Sequence, residues 1–162
     1  ILINCKFLKK LNIRNCKNLS DRLFMNNEIS SPLEELNLSL IETFTDLTLD
    51  SLMLKQLILS TTLKSIYLNG CNNFSQAKLN IFLKQSNLRY IEMRNLTSID
   101  DSFIESFIQE RKKLYNIHIV VNNLNLTRIE NLFTFTWIKT IMHGKYSKFF
   151  KLDNILLENQ FY

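Results

Sequence analysis

The sequence predicts an α/β coil of parallel strands and short helices, and three observations carry that prediction. An apolar phrase of the form L-x-x-L-x-L-x-x-C/N-x-x-L recurs along the chain. It stands at Leu8, Leu11, Ile13, Cys16 and Leu19, and again at Leu33, Leu36, Leu38, Ile41 and Phe44. It returns at Leu63, Ile66, Leu68, Cys71 and Phe74, and at Leu88, Ile91, Met93, Leu96 and Ile99. Weaker copies follow at Leu114, Ile117, Ile119 and Asn122, and at Ile138, Ile141, His143, Tyr146 and Phe149. The second observation is the period: 25 residues from Leu8 to Leu33, 25 from Leu63 to Leu88, 26 from Leu88 to Leu114 and 24 from Leu114 to Ile138. That length accommodates one strand, one turn and one short helix. The third is a helix-start signal after most copies: Ser20-Asp21, Thr45-Asp46, Ser75 and Asp100-Asp101.

Each element follows from local pattern. Leu36-Asn37-Leu38 and Ile66-Tyr67-Leu68 alternate apolar and polar, as a strand with one buried face does. The Cys or Asn after the strand is small enough to sit inside and satisfy the backbone of the turn. Amphipathic segments Ala77 to Leu83 and Ser102 to Lys112 then read as outer helices, the second burying Phe103, Ile104 and Phe107. One stretch breaks step. Leu54, Leu57 and Leu59 resemble a strand, yet Leu63 begins the next copy only nine residues after Leu54. Either the Leu54 set belongs to the helix of a long unit, or the Leu63 set is an insertion. The first reading is preferred, because Asn69-Gly70-Cys71 completes the phrase after Leu68. Beyond the repeats, Phe149, Phe150, Leu152, Ile155 and Leu156 read as a short amphipathic helix. It would cap the open end of the core, the alternative being a partner-binding tail ending at Phe161-Tyr162.

Length and composition bound the class. A chain of 162 residues with 46% hydrophobic content suits one domain, and two glycines and one proline leave no linker. The expectation is a single repeat domain over 1–162, with repeats at about 8–149 and a cap or tail at 150–162. The chain opens on Ile1 and not Met, so an upstream segment is expected. No secretory signal or membrane-length apolar run is present. The three cysteines, Cys5, Cys16 and Cys71, match no zinc or redox spacing. Cys16 and Cys71 share a repeat position, so both are expected inside the core as free thiols, which suits a reducing compartment. Asn-x-Ser/Thr sequons at Asn18, Asn37, Asn73, Asn95 and Asn125 follow from a chain rich in these residues. A cytoplasmic or nuclear protein is expected.

The run Leu11-Asn12-Ile13-Arg14-Asn15-Cys16-Lys17-Asn18-Leu19-Ser20-Asp21 resembles the cysteine-containing leucine-rich repeats. Leu68-Asn69-Gly70-Cys71 and Leu96 to Asp101 support the likeness, which covers about residues 8 to 149. The resemblance implies a leucine-rich repeat solenoid, a right-handed α/β horseshoe arc of about six turns with parallel strands on its concave face. It also implies kinship with the substrate-recognition part of F-box proteins in ubiquitin ligases. The chain departs from that pattern in keeping Cys in two copies only, and in showing no F-box segment.

No catalytic set emerges. His118 stands between Ile117 and Ile119, His143 replaces a core apolar residue, and neither has a nucleophile beside it in a known motif. No phosphate loop, dinucleotide loop or metal cluster is present, and helix capping accounts for Asp100-Asp101. A non-enzyme without cofactor or metal is expected. The working surface is then the outward side of the strands. Tyr67, Tyr90, Arg94, His118 and Arg14 are the residue types that dominate protein interfaces, although exposed strand positions favour such residues in any case. Charge offers a second reading. Lys6, Lys9 and Lys10 crowd the first copy, and Lys145 and Lys148 the last, in a chain of net charge +5. They are candidate phosphate contacts for a ribonucleoprotein- or ribosome-associated factor, or else plain solvated lysines. The first function expected is a protein-interaction module of the ubiquitin-ligase adaptor kind, with no membrane and no small-molecule substrate.

Overall fold

A computed structural model describes residues 5–25, 31–54, 62–85, 88–111, 117–122, 147–152 and 155–160. Over the first four segments the chain repeats one strand, one turn and one helix. Strands β1 (Lys10–Asn12), β2 (Glu35–Asn37), β3 (Ser65–Tyr67) and β4 (Tyr90–Glu92) alternate with helices α1 (Arg22–Met25), α2 (Asp46–Leu54), α3 (Gln76–Gln85) and α4 (Asp101–Arg111). The four strands pair in order, all parallel, with Leu11, Leu36, Ile66 and Ile91 in one row. The fold class is therefore α/β, with the helices packed in sequence on one side of the sheet.

The apolar phrase builds the core as its spacing predicts. Leu33, Leu36, Leu38, Ile41 and Phe44 are fully buried, and so are Ile66, Leu68, Cys71, Leu88 and Ile91. Leu49, Leu52, Leu79, Phe82 and Leu83 close the core from α2 and α3, and Phe103, Ile104 and Phe107 close it from α4. Phe24 meets Phe44 edge to face at 5.7 Å between ring centres. The break in step resolves in favour of the long unit. Leu36 to Ile66 spans 30 residues of register, Ile66 is a β3 residue, and Leu54 ends α2. Leu57 and Leu59 lie outside the described residues.

Two features recur that the apolar phrase does not announce. The first is a left-handed backbone residue at the same place in each of the first four units: Asn15, Leu40, Gly70 and Asn95, with φ between 55° and 68°. Its N–H donates to the next unit, Asn15 to Ser39 O, Leu40 to Asn69 O and Gly70 to Arg94 O. The second is a capping relay along the helix starts. Asp21 accepts from the Thr45 N–H at 2.9 Å and from the Thr45 and Thr48 hydroxyls, and Asp46 accepts from the Ser75 N–H and hydroxyl. In the third unit Gln76 takes the aspartate's place and donates to Asp100. Each helix start is thus tied to its neighbour by charged or amide hydrogen bonds. Thr45, Ser75 and Asp100 also cap their own helices, receiving Leu47, Lys78 and Phe103 N–H groups.

Three expectations need correction. Cys16 is exposed although Cys71, at the same repeat position, is buried. The reason is place: Cys71 has a unit on both sides, whereas the first unit has one on a single side among the described residues. The fifth copy pairs two residues out of the expected step. Ile119, not Ile117, stands opposite Ile91 when β5 (Ile117–Asn122) joins β4. A shift of two preserves a period-two register along the strand, and Val121 is buried in the core. The tail is not a helix. Ser147–Leu152 is β6 and Ile155–Gln160 is β7, paired antiparallel, with β7 parallel to β5 and β6 at the far edge. Phe149 therefore lies in an edge strand, and the rest of the sixth copy lies outside the described residues.

Candidate functional site

The strands present alternate residues away from the helices, and these assemble the candidate surface. Lys10, Glu35, Ser65, Tyr90 and His118 form one row across the sheet, and Asn12, Asn37, Tyr67, Glu92 and Val120 the next. The row of the following turn holds Arg14, Ser39, Asn69 and Arg94. The structure brings Tyr67, Tyr90 and Arg94 together in one cluster. Tyr67 and Tyr90 are diagonal neighbours, their rings 5.2 Å apart and tilted by 45°. The Tyr90 hydroxyl donates to Glu92 Oε2 at 2.9 Å. Asn69 Nδ2 donates to Glu92 Oε1 at 2.7 Å, and Arg94 Nε stands 3.2 Å from the same oxygen. Asn69 Oδ1 in turn accepts the Arg94 N–H at 2.7 Å.

Glu92 is the hub of this network and Asn69 its brace, and neither stood out beforehand. The signal was available: counting by the repeat places Glu92 beside Tyr67, and a carboxylate between two phenols and an arginine seeks hydrogen bonds. The environment holds both tyrosines as neutral phenols. Burial, then the Glu35 and Glu92 charges, raise the Tyr67 pKa; burial and the hydrogen bond to Glu92 raise that of Tyr90 strongly. Arg94 Nε is buried without an aligned hydrogen bond, and the Arg94 side chain as a whole stays 27% exposed. Among the described residues nothing engages its outer nitrogens. A cationic fork beside two ordered aromatic rings is the result.

The other candidates fall elsewhere. His118 is opposite Tyr90 in β5, which places its backbone next to the cluster. Arg14 is exposed on the first unit and belongs to a different part of the face. Of the candidate phosphate contacts, Lys9 pairs with Glu34 at 3.0 Å and Lys10 with Glu35 at 2.8 Å. Lys64 also reaches Glu34 at 2.7 Å. Lys64 and Lys9 together hold the Glu34 carboxyl down at about 2. Lys6 is exposed, Lys148 lies in β6, and Lys145 is outside the described residues, as is His143. Basic and acidic groups that look segregated in sequence thus neutralise one another across neighbouring units.

Buried Cys71 donates its thiol to Leu38 O at 3.1 Å, and burial pushes its pKa up to about 11. A thiol so placed is a packing group and not a nucleophile. Among the described residues no three His, Cys, Asp or Glu side chains are grouped to hold a metal ion, and no helix is long and apolar enough to cross a membrane. No protein-family model matches the chain, and no curated protein matches it.

Proposed function

We propose that this chain is a leucine-rich repeat solenoid of about six turns that works as a non-catalytic protein-interaction module. Its partner is held on the concave side by Tyr67, Tyr90 and Arg94, with His118 beside them. The observation that carries this reading is the cluster around Glu92: two phenol rings in tilted contact and a guanidinium whose Nε faces Glu92, on a regularly repeated sheet. Tyrosine and arginine held in place before binding lose little entropy on contact, which is how interface hot spots gain affinity. The fork suits a carboxylate or a carbonyl of the partner.

The cysteine phrases around Cys16 and Cys71 extend the proposal to the substrate-recognition part of a ubiquitin-ligase adaptor. The buried neutral thiol of Cys71 is in keeping with a cytoplasmic or nuclear setting. The ribonucleoprotein reading is the weaker one, because Lys9 and Lys10 are already paired with Glu34 and Glu35. Affinity capture of the tagged chain from lysate, with and without nuclease and at raised salt, tests the choice. Protein partners that survive nuclease and salt support the module, and ubiquitin-ligase subunits among them support its adaptor form. Partners lost to nuclease or salt support ribonucleoprotein docking instead.

A further inference from the structure

Asn69-Gly70 is the one Asn-Gly step in the chain, because the other glycine, Gly144, follows His143. An asparagine before a glycine is chemically labile in water. With no side chain to crowd it, the glycine nitrogen can attack the asparagine's own side-chain carbon. Two separate demands put this pair here. At Gly70 the backbone is left-handed, with φ at 68°, and a Cβ would come within 2.9 Å of Leu40 Cδ2. At 69 an asparagine braces the Glu92 cluster with both ends of its amide. The equivalent steps of the other units read Arg14-Asn15, Ser39-Leu40 and Arg94-Asn95, and none is reactive in this way.

The fold opposes the reaction at each reacting group. The attacking nitrogen belongs to buried Gly70, and its N–H donates to Arg94 O at 2.9 Å. The carbonyl of the same peptide group accepts from the Leu40 N–H at 2.7 Å. The preceding and the following unit thus hold this peptide plane from both sides. The side chain that must swing back onto it is pinned as well. Its Nδ2 donates to Glu92 Oε1 and its Oδ1 accepts the Arg94 N–H, each at 2.7 Å. Ring closure therefore needs the turn after β3 to open and the amide to leave Glu92.

We infer that Asn69 is a self-modification site: it deamidates when the turn after β3 opens, and the product dismantles the cluster that had protected it. Hydroxide takes the Gly70 amide proton, and the nitrogen forms a bond to Asn69 Cγ. The Cγ–Nδ2 bond breaks, and ammonia leaves with a proton from water. Water then opens the cyclic imide at either carbonyl. Opening at Cγ leaves aspartate, and opening at the main-chain carbonyl leaves isoaspartate. Aspartate puts a carboxylate where an amide donor stood 2.7 Å from Glu92 Oε1, and like charges at that distance repel. Isoaspartate lengthens the main chain beside Gly70, where Leu40 packs. The chemistry belongs to the chain alone. Only its consequence for a partner, loss of the surface of Tyr67, Tyr90 and Arg94, rests on the function proposed above.

The test is peptide mapping by mass spectrometry of the full chain held at mildly alkaline pH, with aspartate and isoaspartate at position 69 followed over time. The chain unfolded in guanidinium chloride at the same pH sets the unprotected rate. The folded chain is expected to react at least about tenfold more slowly than the unfolded one. In Glu92→Gln, a neutral side chain offers one acceptor oxygen to the donors of Tyr90, Asn69 and Arg94. That variant, folded, is expected to react at least about threefold faster than the unsubstituted folded chain. Asp21→Ala, loosened in the first unit, is expected to keep the unsubstituted rate. Slow exchange of the Gly70 amide proton in the unsubstituted chain reads the closed turn without any substitution. Asn69→Asp, the product made directly, is expected to melt below the unsubstituted chain at neutral pH. No reaction in the unfolded chain, equal rates folded and unfolded, or indifference to Glu92→Gln would each overturn the proposal. So would equal acceleration by Asp21→Ala, fast Gly70 exchange or an unlowered midpoint for Asn69→Asp.

Discussion

Leu40 is a leucine in a backbone conformation that favours glycine or asparagine, with φ at 61°. The equivalent places hold Asn15, Gly70 and Asn95, so three of the four turns carry the expected residue types. Leu40→Asn is therefore expected to stabilise the chain by about 0.5–1 kcal/mol, read from a denaturant melt. Gly70→Ala goes the other way. A Cβ there would come within 2.9 Å of Leu40 Cδ2 at a positive φ, and the expected cost is about 1–2 kcal/mol. Leu68→Ala leaves a cavity between units at a fully buried site and is expected to cost about 2–5 kcal/mol. A loss well under about 1 kcal/mol would mean that Leu68 is not a core residue. The left-handed place was visible in Asn-Gly-Cys and Asn-Cys, but not at Leu40, where the residue type argues against the conformation that the ladder of hydrogen bonds imposes.

Neighbouring units are joined by the sheet, by apolar packing, by ion pairs and by the capping relay, and Asp21 of the relay has a shifted pKa. Burial raises the Asp21 pKa, and hydrogen bonds from Thr45 and Thr48 lower it by more, so the net shift is downward. A carboxylate lowered on folding adds stability above its unfolded pKa, near 3.8, and loses it as pH falls through the folded value. The thermal midpoint of the unsubstituted chain should thus fall between about pH 5 and pH 2 by more than that of Asp21→Asn. Equal falls would remove Asp21 from the acid response. Asp21→Ala should cost about 1–3 kcal/mol at neutral pH, because the Thr45 and Thr48 donors lose a charged acceptor. Strands and helices through Arg111 were legible because apolar spacing governs both. The β6–β7 hairpin was not. Phe149, Phe150, Leu152 and Ile155 fit a helical face as well as a strand, and Asp153-Asn154, turn-formers between them, were the overlooked signal. The two-residue shift at β5 escaped because Ile117, Ile119 and Val121 are interchangeable at a period of two.

Over the described residues the molecule is one sheet, parallel except for β6 at its edge, with one face committed to the core and the other carrying the Glu92 cluster. Which outward residues meet was only half legible. Alternation placed Tyr67, Tyr90 and Arg94 on one side, but their convergence on Glu92 and Asn69 rests on side-chain hydrogen bonds across the β3–β4 register, which an apolar pattern does not encode. The segregated charges misled for the same reason, since Lys9, Lys10 and Lys64 meet Glu34 and Glu35 only once strands are paired. Tyr67 is the side chain on which the interaction account turns. Its truncation removes a ring contact of about 0.5–1.5 kcal/mol and leaves the fold intact. The decisive measurement is quantitative mass spectrometry of nuclease-treated captures by the unsubstituted chain and by Tyr67→Ala. The account predicts a protein partner retained by the first and depleted at least about tenfold in the second, with both chains folded. Equal recovery of every protein by the two would contradict it.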